Sequence, residues 1–233
     1  VPDDRLERLA VFPKSAKVIP AAVEFVDIAG LVEGAAEGEG LGNQFLAHIR
    51  ETDAIAHVVR VFDDPNILHV HGGVDPVHDI EVVETELARA DAETVRKRRT
   101  GIDREVRRGE KAALAEAAVL QRLAEALDAG RPARCVEFTK DETPFLRSLH
   151  LLTLKPVLFV LNTKSGSESA SLTAAQNFLI SRGDHAVVVD VGIEQEVSET
   201  TAEERHALRE EFAPASEGID GLIRSGYELL GLI

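Results

Sequence analysis

Asp27 closes an apolar run that begins at Ala21, and Gly30 follows three residues later. An aspartate at the end of a strand can hold a magnesium ion, usually through water. A glycine at that distance lets its backbone N–H approach a terminal phosphate. Behind it lies a loop with Gly30, Gly34, Gly38, Gly40 and Gly42. A bound phosphate can order such a loop, and hydrolysis can release it. An aspartate that only caps a strand-to-helix turn is the plainer alternative. The short D-x-x-G pattern is weak alone; its position between an apolar strand and a glycine-rich loop gives it weight.

The elements that must carry these residues follow from periodicity. Residues 21–28 read as a strand of β-branched and aromatic side chains, and 55–62 as a second, nearly continuous in apolar character. Asn43 opens a helix with Phe45, Leu46 and Ile49 on one face. From Asp79 a helical pattern runs to about Arg108, and a second covers about 110–128, with Gly109 and Gly130 as breaks. The two predict an antiparallel helical hairpin. A helix is expected from Pro144 into Leu154. Val157 to Leu161 is a buried strand ending at Asn162, and Ala186 to Val191 is another. Helices are expected at about 172–182 and 199–212, with a last one capped by Ser216. Alternating strands and helices predict an α/β fold with a parallel sheet.

Composition narrows the class. The 233 residues carry 41 acidic and 26 basic side chains, a net charge of −15. That balance argues against a protein that coats DNA by bulk charge. One cysteine, Cys135, excludes an internal disulfide and a zinc ribbon. No apolar run is long enough for a membrane-spanning helix, and the start is no signal peptide, so the expected compartment is the cytoplasm. The chain has no methionine and opens on Val1, which predicts an internal piece of a longer protein.

Asp27-Ile28-Ala29-Gly30-Leu31-Val32, Gly38-Glu39-Gly40-Leu41-Gly42-Asn43 and Ile49-Arg50-Glu51-Thr52-Asp53-Ala54-Ile55 closely resemble the switch II region of Obg-like ATPases, the YchF-type translation-factor-related P-loop NTPases. Asp75-Pro76 with Asp79-Ile80-Glu81 is similar to the start of that family's helical insertion. Leu152-Thr153-Leu154-Lys155-Pro156 and Gly226-Tyr227-Glu228-Leu229-Leu230 are similar too. The resemblance implies a G-domain-like core at 1–62 and 150–233, interrupted by a helical hairpin insertion at 63–149. It implies Mg2+ as cofactor, ATP or GTP as ligand, and action at the ribosome or on ribosomal RNA.

The resemblance also implies roles. Asp27 and Gly30 would contact magnesium and the γ-phosphate. Leu31 falls where many GTPases carry a catalytic glutamine and cannot orient water. A histidine after the next strand is the implied substitute, here His69, with His71 a nearby competitor. GTPases read the base with Asn-Lys-x-Asp, and this chain has Asn162-Thr163-Lys164-Ser165. Asn162 matches, with Thr163 and Lys164 beside it. Ser165 cannot accept the paired hydrogen bonds that guanine gives to a carboxylate, which argues against strong guanine specificity and leaves adenine preference open. Gly192 loosely fits the last base-binding motif.

The sequence departs from the family in containing no G-x-x-x-x-G-K-[ST] phosphate loop. The strand that carries that loop would lie between 21–28 and 55–62, so the expected sheet is an incomplete P-loop NTPase sheet. An alternative function follows: a degenerate, non-hydrolysing module that binds RNA, the ribosome or a protein through its hairpin. There Arg96, Lys97, Arg98, Arg99, Arg104, Arg107, Arg108 and Lys111 cluster within an acidic chain. An exposed helix face balanced by its own carboxylates explains the same cluster more simply.

Overall fold

A computed structural model describes residues 22–28, 41–64, 66, 73–164, 170–201, 204 and 218–232. The expected strand at 55–62 forms β1 (Ile55–Arg60), Val-Leu-Phe-Val-Leu forms β2 (Val157–Asn162), and the valine run forms β3 (His185–Val189). The three pair in parallel in the order β1-β2-β3, with Ile55 opposite Val157 and Leu158 opposite His185. Parallel neighbours need crossovers. Helix α1 (Leu41–Glu51) precedes β1. Between β1 and β2 the chain forms α2 (Pro76–Gly101), α3 (Asp103–Arg107), α4 (Lys111–Asp128) and α5 (Thr143–Arg147). Helix α6 (Ala170–Arg182) links β2 to β3, and α7 (Val191–Ser198) and α8 (Gly218–Leu229) follow.

Side chains alternate between the two faces of the sheet. On one face Val59, Val61, Phe159, Leu161 and Val188 pack with Ile80 of α2 and with Ala175 and Leu179 of α6. On the other, Leu158, Val160, Val187 and Val189 meet Leu222 and Leu229 of α8. Helix α8 covers β2 and β3, and on the same face of β1 Val58 is 61% exposed.

The hairpin packs α2 against α4. Asp75 caps α2, its carboxylate accepting from the His78 N–H, and Pro76 fits the first turn, where no helical N–H is needed. Ala88, Ala92 and Val95 of α2 interlock with Val119, Leu120 and Leu123 of α4. The first arm ends at Gly101 rather than near Arg108, because α3 makes a separate short turn. Gly109, at φ 76°, then reverses the chain into α4. A glycine is the residue that adopts this left-handed conformation without strain.

Three further expectations change. Residues 22–28 are not a strand. Phe25 lies against Gly226 of α8, and Ile28 packs into the cluster of Leu46, Ile49, Leu87 and Leu152, so the segment seats its side chains without joining a ladder. Among the described residues no strand lies beside it, and β propensity without a partner forms no sheet. The helix expected from Pro144 to Leu154 stops at Arg147, and His150 turns the chain at φ 47°. Leu149, Leu151 and Leu152 are buried as a helical pattern would have them, but the backbone there bonds to Asp91 instead. Helix α1 begins at Leu41, so Gly42 belongs to the helix and not to the loop before it. The charged helix expected at 199–212 and residues 1–21 lie largely or wholly outside the described residues.

Candidate nucleotide site at the carboxyl ends of the strands

In an open parallel sheet the loops leaving the carboxyl ends of the strands form the binding crevice. Here three such loops are laced together. Asn162 ends β2, and its side-chain oxygen accepts from the Val191 N–H at 3.4 Å, reaching toward the exit of β3. The Thr163 N–H donates to the Val189 carbonyl at 2.9 Å, which extends the β2–β3 ladder by one bond. Asp190 caps α7, accepting from the Ile193 N–H at 3.0 Å. A Cβ at Gly192 would stand 3.3 Å from that carboxylate oxygen, so glycine there keeps the capped turn uncrowded.

Lys164 reaches the other way. Its Nζ lies 2.7 Å from Oδ2 of Asp64, in the loop leaving β1. Asp64 also accepts from the Asn66 N–H at 2.9 Å and from its side-chain amide at 3.2 Å. The lysine and these hydrogen bonds hold the Asp64 carboxyl down to about 2. Arg60 stiffens the same loop, donating to the carbonyls of Phe62 at 2.9 Å and Asp64 at 3.2 Å, with its guanidinium over the Phe62 ring.

Of the residues singled out in the sequence, Asn162, Thr163, Lys164 and Gly192 thus gather at one edge. Asp27 is exposed at the end of the 22–28 segment, and among the described residues no hydrogen bond or ion pair joins it to that edge. Gly30, His69, His71 and Ser165 lie outside the described residues.

A second polar centre, which the sequence reading missed, sits at the base of the hairpin. Asp91 is 1% exposed. Its carboxylate accepts from the Leu152 and Thr153 N–H groups, both at 2.8 Å, and from the Thr153 hydroxyl at 2.6 Å. The Thr153 Oγ1 in turn accepts from the Ala133 N–H at 2.9 Å. Burial pushes the Asp91 carboxyl up, against those hydrogen bonds. Two residues on, the Lys155 ammonium donates to the carbonyls of Arg50, at 3.2 Å, and Thr52, satisfying the carboxyl end of α1. One short stretch, 152–155, therefore binds both α2 and α1. The signal was present: Asp91 shares a helical face with Leu87 and Val95, four residues either side.

Nearby, Glu84 of α2 accepts from Arg134 at 2.8 Å and from Arg182 of α6 at 2.8 and 2.9 Å. Burial works against its charge, but the two guanidiniums hold it below the usual carboxylate range. His57 lies beside a cavity of about 20 Å³ shared with Glu84, Arg134 and Phe159. Burial lowers its pKa to about 4, although Glu84 and Asp79 pull upward.

On the hairpin, most of the basic cluster is balanced by its own acids. Arg98 grips Glu116 with two bonds at 2.5 and 2.9 Å. Arg96 pairs with Asp128, Lys97 with Glu93, Arg107 with Asp103, and Arg108 with Glu105 and Glu110. Arg99, Arg104 and Lys111 have no such acid among the described residues. Among those residues, too, no group of three or more histidine, cysteine or carboxylate side chains could hold a metal, and no helix is long and apolar enough to cross a membrane.

Residues 11–100 match the family model described as 50S ribosome-binding GTPase. The ribosome-binding ATPase YchF of Bacillus subtilis is 44% identical over 239 residues, covering all of this chain and 65% of that protein. Its counterpart from Escherichia coli O157:H7 is 41% identical over 234 residues, covering all of this chain and 64% of that protein. The structure of the Schizosaccharomyces pombe YchF GTPase superposes with a TM-score of 0.78 at 32% identity, over 99% of this chain and 64% of that one. The chain spans just under two thirds of the length of these relatives. Along its whole length the chain is homologous to the YchF-type, Obg-like P-loop NTPases, and it shares their α/β architecture with a parallel sheet.

Proposed function

We propose that the protein binds ATP or GTP with Mg2+ at the carboxyl ends of β1, β2 and β3, and hydrolyses it as part of a ribosome-binding NTPase. The observation that carries this reading is the lacing of the β1, β2 and β3 exit loops around Asn162, Lys164 and Gly192, in a chain homologous throughout to YchF proteins. Asn162 and Thr163, fixed to the β3 side, would position the base with Lys164 and Gly192. Asp27 and Gly30 would face the metal and the γ-phosphate, and His69 would orient the attacking water. That water's oxygen bonds to the γ-phosphorus as the bond to the bridging oxygen breaks, and its proton leaves to solvent or to phosphate.

The residues fit Mg2+ of one kind only. Asp27 offers a single exposed, hard carboxylate, and no all-protein cage exists among the described residues. That suits an ion held by one carboxylate, water and substrate phosphates. When bound it would neutralise charge on the β- and γ-phosphates.

The division into a nucleotide-binding core at 1–62 and 150–233 and a hairpin at 63–149 belongs to the same proposal, as does a cytoplasmic location. In this reading Asp91, Thr153 and Lys155 join the core to the hairpin. The test is equilibrium binding of fluorescent ATP and GTP to the full-length gene product, with Asn162→Ala beside it. Micromolar binding weakened about tenfold or more by the substitution supports the site. No binding by the unaltered protein removes it.

A second reading rests on Arg99, Arg104 and Lys111, which pair with no acid among the described residues. They suit phosphates of RNA, with or without nucleotide hydrolysis.

A further inference from the structure

We infer that Asp64 is a positioning residue of the proposed nucleotide site, acting through Lys164; the inference rests on that reading of the site. Asn162 stands opposite Arg60 in the β1–β2 ladder. Lys164 is two residues beyond the end of β2, and Asp64 is four beyond the end of β1. Adjacent strands run about 4.8 Å apart, so a lysine whose ammonium meets the neighbouring strand's exit loop lays its methylene chain across that gap. The far end is pinned: Asp64 is 11% exposed on its side chain and held by Asn66 and, through its carbonyl, by Arg60. The lysine side chain keeps 57% of its surface open. The result is a fixed apolar strip at the carboxyl edge, beside Asn162, with its charge turned away and neutralised.

A planar base or a ribose is the chemistry such a strip fits. It offers contact area without competing for phosphate, and it is ordered before the ligand arrives, which lowers the entropy cost of binding. Without Asp64 the ammonium would lose this anchor, and the stem would be held less firmly across the gap.

The test uses the full-length gene product and two readouts: the Kd of fluorescent ADP and ATP, and steady-state turnover. Asp64→Asn, which keeps the shape and removes the charge, is expected to raise Kd about five- to tenfold while kcat falls less than about twofold. Asp64→Glu should recover at least half of the lost affinity on a logarithmic scale. In a Lys164→Met background, Asp64→Asn should have no further effect on Kd, because there is no ammonium left to hold.

Affinity within twofold of the unaltered protein in Asp64→Asn overturns the inference. So does a loss that persists undiminished in the Lys164→Met background. Should Asp64→Asn fail to fold, the Asp64→Glu comparison and its double-mutant cycle with Lys164→Met decide alone. If the unaltered full-length protein binds neither nucleotide, the site itself falls. If it binds both and Asp64→Asn binds equally well, Asp64 alone is wrong.

Discussion

Replacing Asp91 with alanine removes the one acceptor that three buried donors share. The Leu152 and Thr153 N–H groups lose their partner, and so does the Thr153 hydroxyl, whose oxygen is already engaged by the Ala133 N–H. Leaving a buried donor unsatisfied costs about 1–3 kcal/mol each. Some of this is offset because the variant no longer buries a carboxylate. The expected net loss is about 2–4 kcal/mol, measurable by urea unfolding of the full-length protein with matched slopes. Asp91→Asn keeps one acceptor and turns an amide N–H toward a donor, so its loss should be smaller but of the same sign.

The pH dependence follows from the raised Asp91 pKa. A carboxyl whose folded value exceeds its ordinary one contributes most below the ordinary range, and its contribution declines as pH rises through the folded value. The stability gap between the unaltered protein and Asp91→Asn should therefore widen toward acid. Amide exchange at Leu152 and Thr153 should accelerate in either variant. A loss below about 1 kcal/mol for Asp91→Ala, with unchanged exchange at those two amides, would refute the claim that this carboxylate fastens the hairpin to the core.

Other consequences are as direct. His57 is held near 4 by burial, below its ordinary 6.5. Its stabilising contribution is therefore present above pH 6.5 and lost as pH falls toward 4, by at most about 3 kcal/mol; His57→Phe should flatten that part of the stability profile. Lys155→Met should speed amide exchange in the last turn of α1 by leaving the Arg50 and Thr52 carbonyls without their donor; exchange protection equal to the unaltered protein would contradict the cap. Neutralising Arg99, Arg104 and Lys111 together should lower the salt slope of ribosome binding by about 2–3, whereas neutralising Lys97 and Arg107, each already paired, should change it little.

How far these features can be read from the residues differs by kind. The Val157–Asn162 strand and the hairpin declare themselves because burial on both faces and heptad-like spacing are local patterns. Residues 22–28 carry the same local signal but form no strand, since a strand needs a partner and none lies beside them among the described residues. Leu149 to Leu152 follow helical spacing, yet tertiary hydrogen bonds to Asp91, some sixty residues away, decide the backbone there. Asn162, Lys164 and Gly192 enter through the resemblance to the family's base-binding motifs. Asp64 does not, because its meaning lies in an ion pair spanning 100 residues. Local sequence reveals which groups could do chemistry; the pairing of strands determines which of them meet.

The central claim is nucleotide hydrolysis at this site, and Asp27 bears on it most directly. Turnover of ATP and GTP by the full-length gene product, with Mg2+ present, should fall about 100-fold or more in Asp27→Ala while nucleotide binding persists. Turnover equal to that of the unaltered protein would contradict the assignment of Asp27 and, with it, the proposed mechanism.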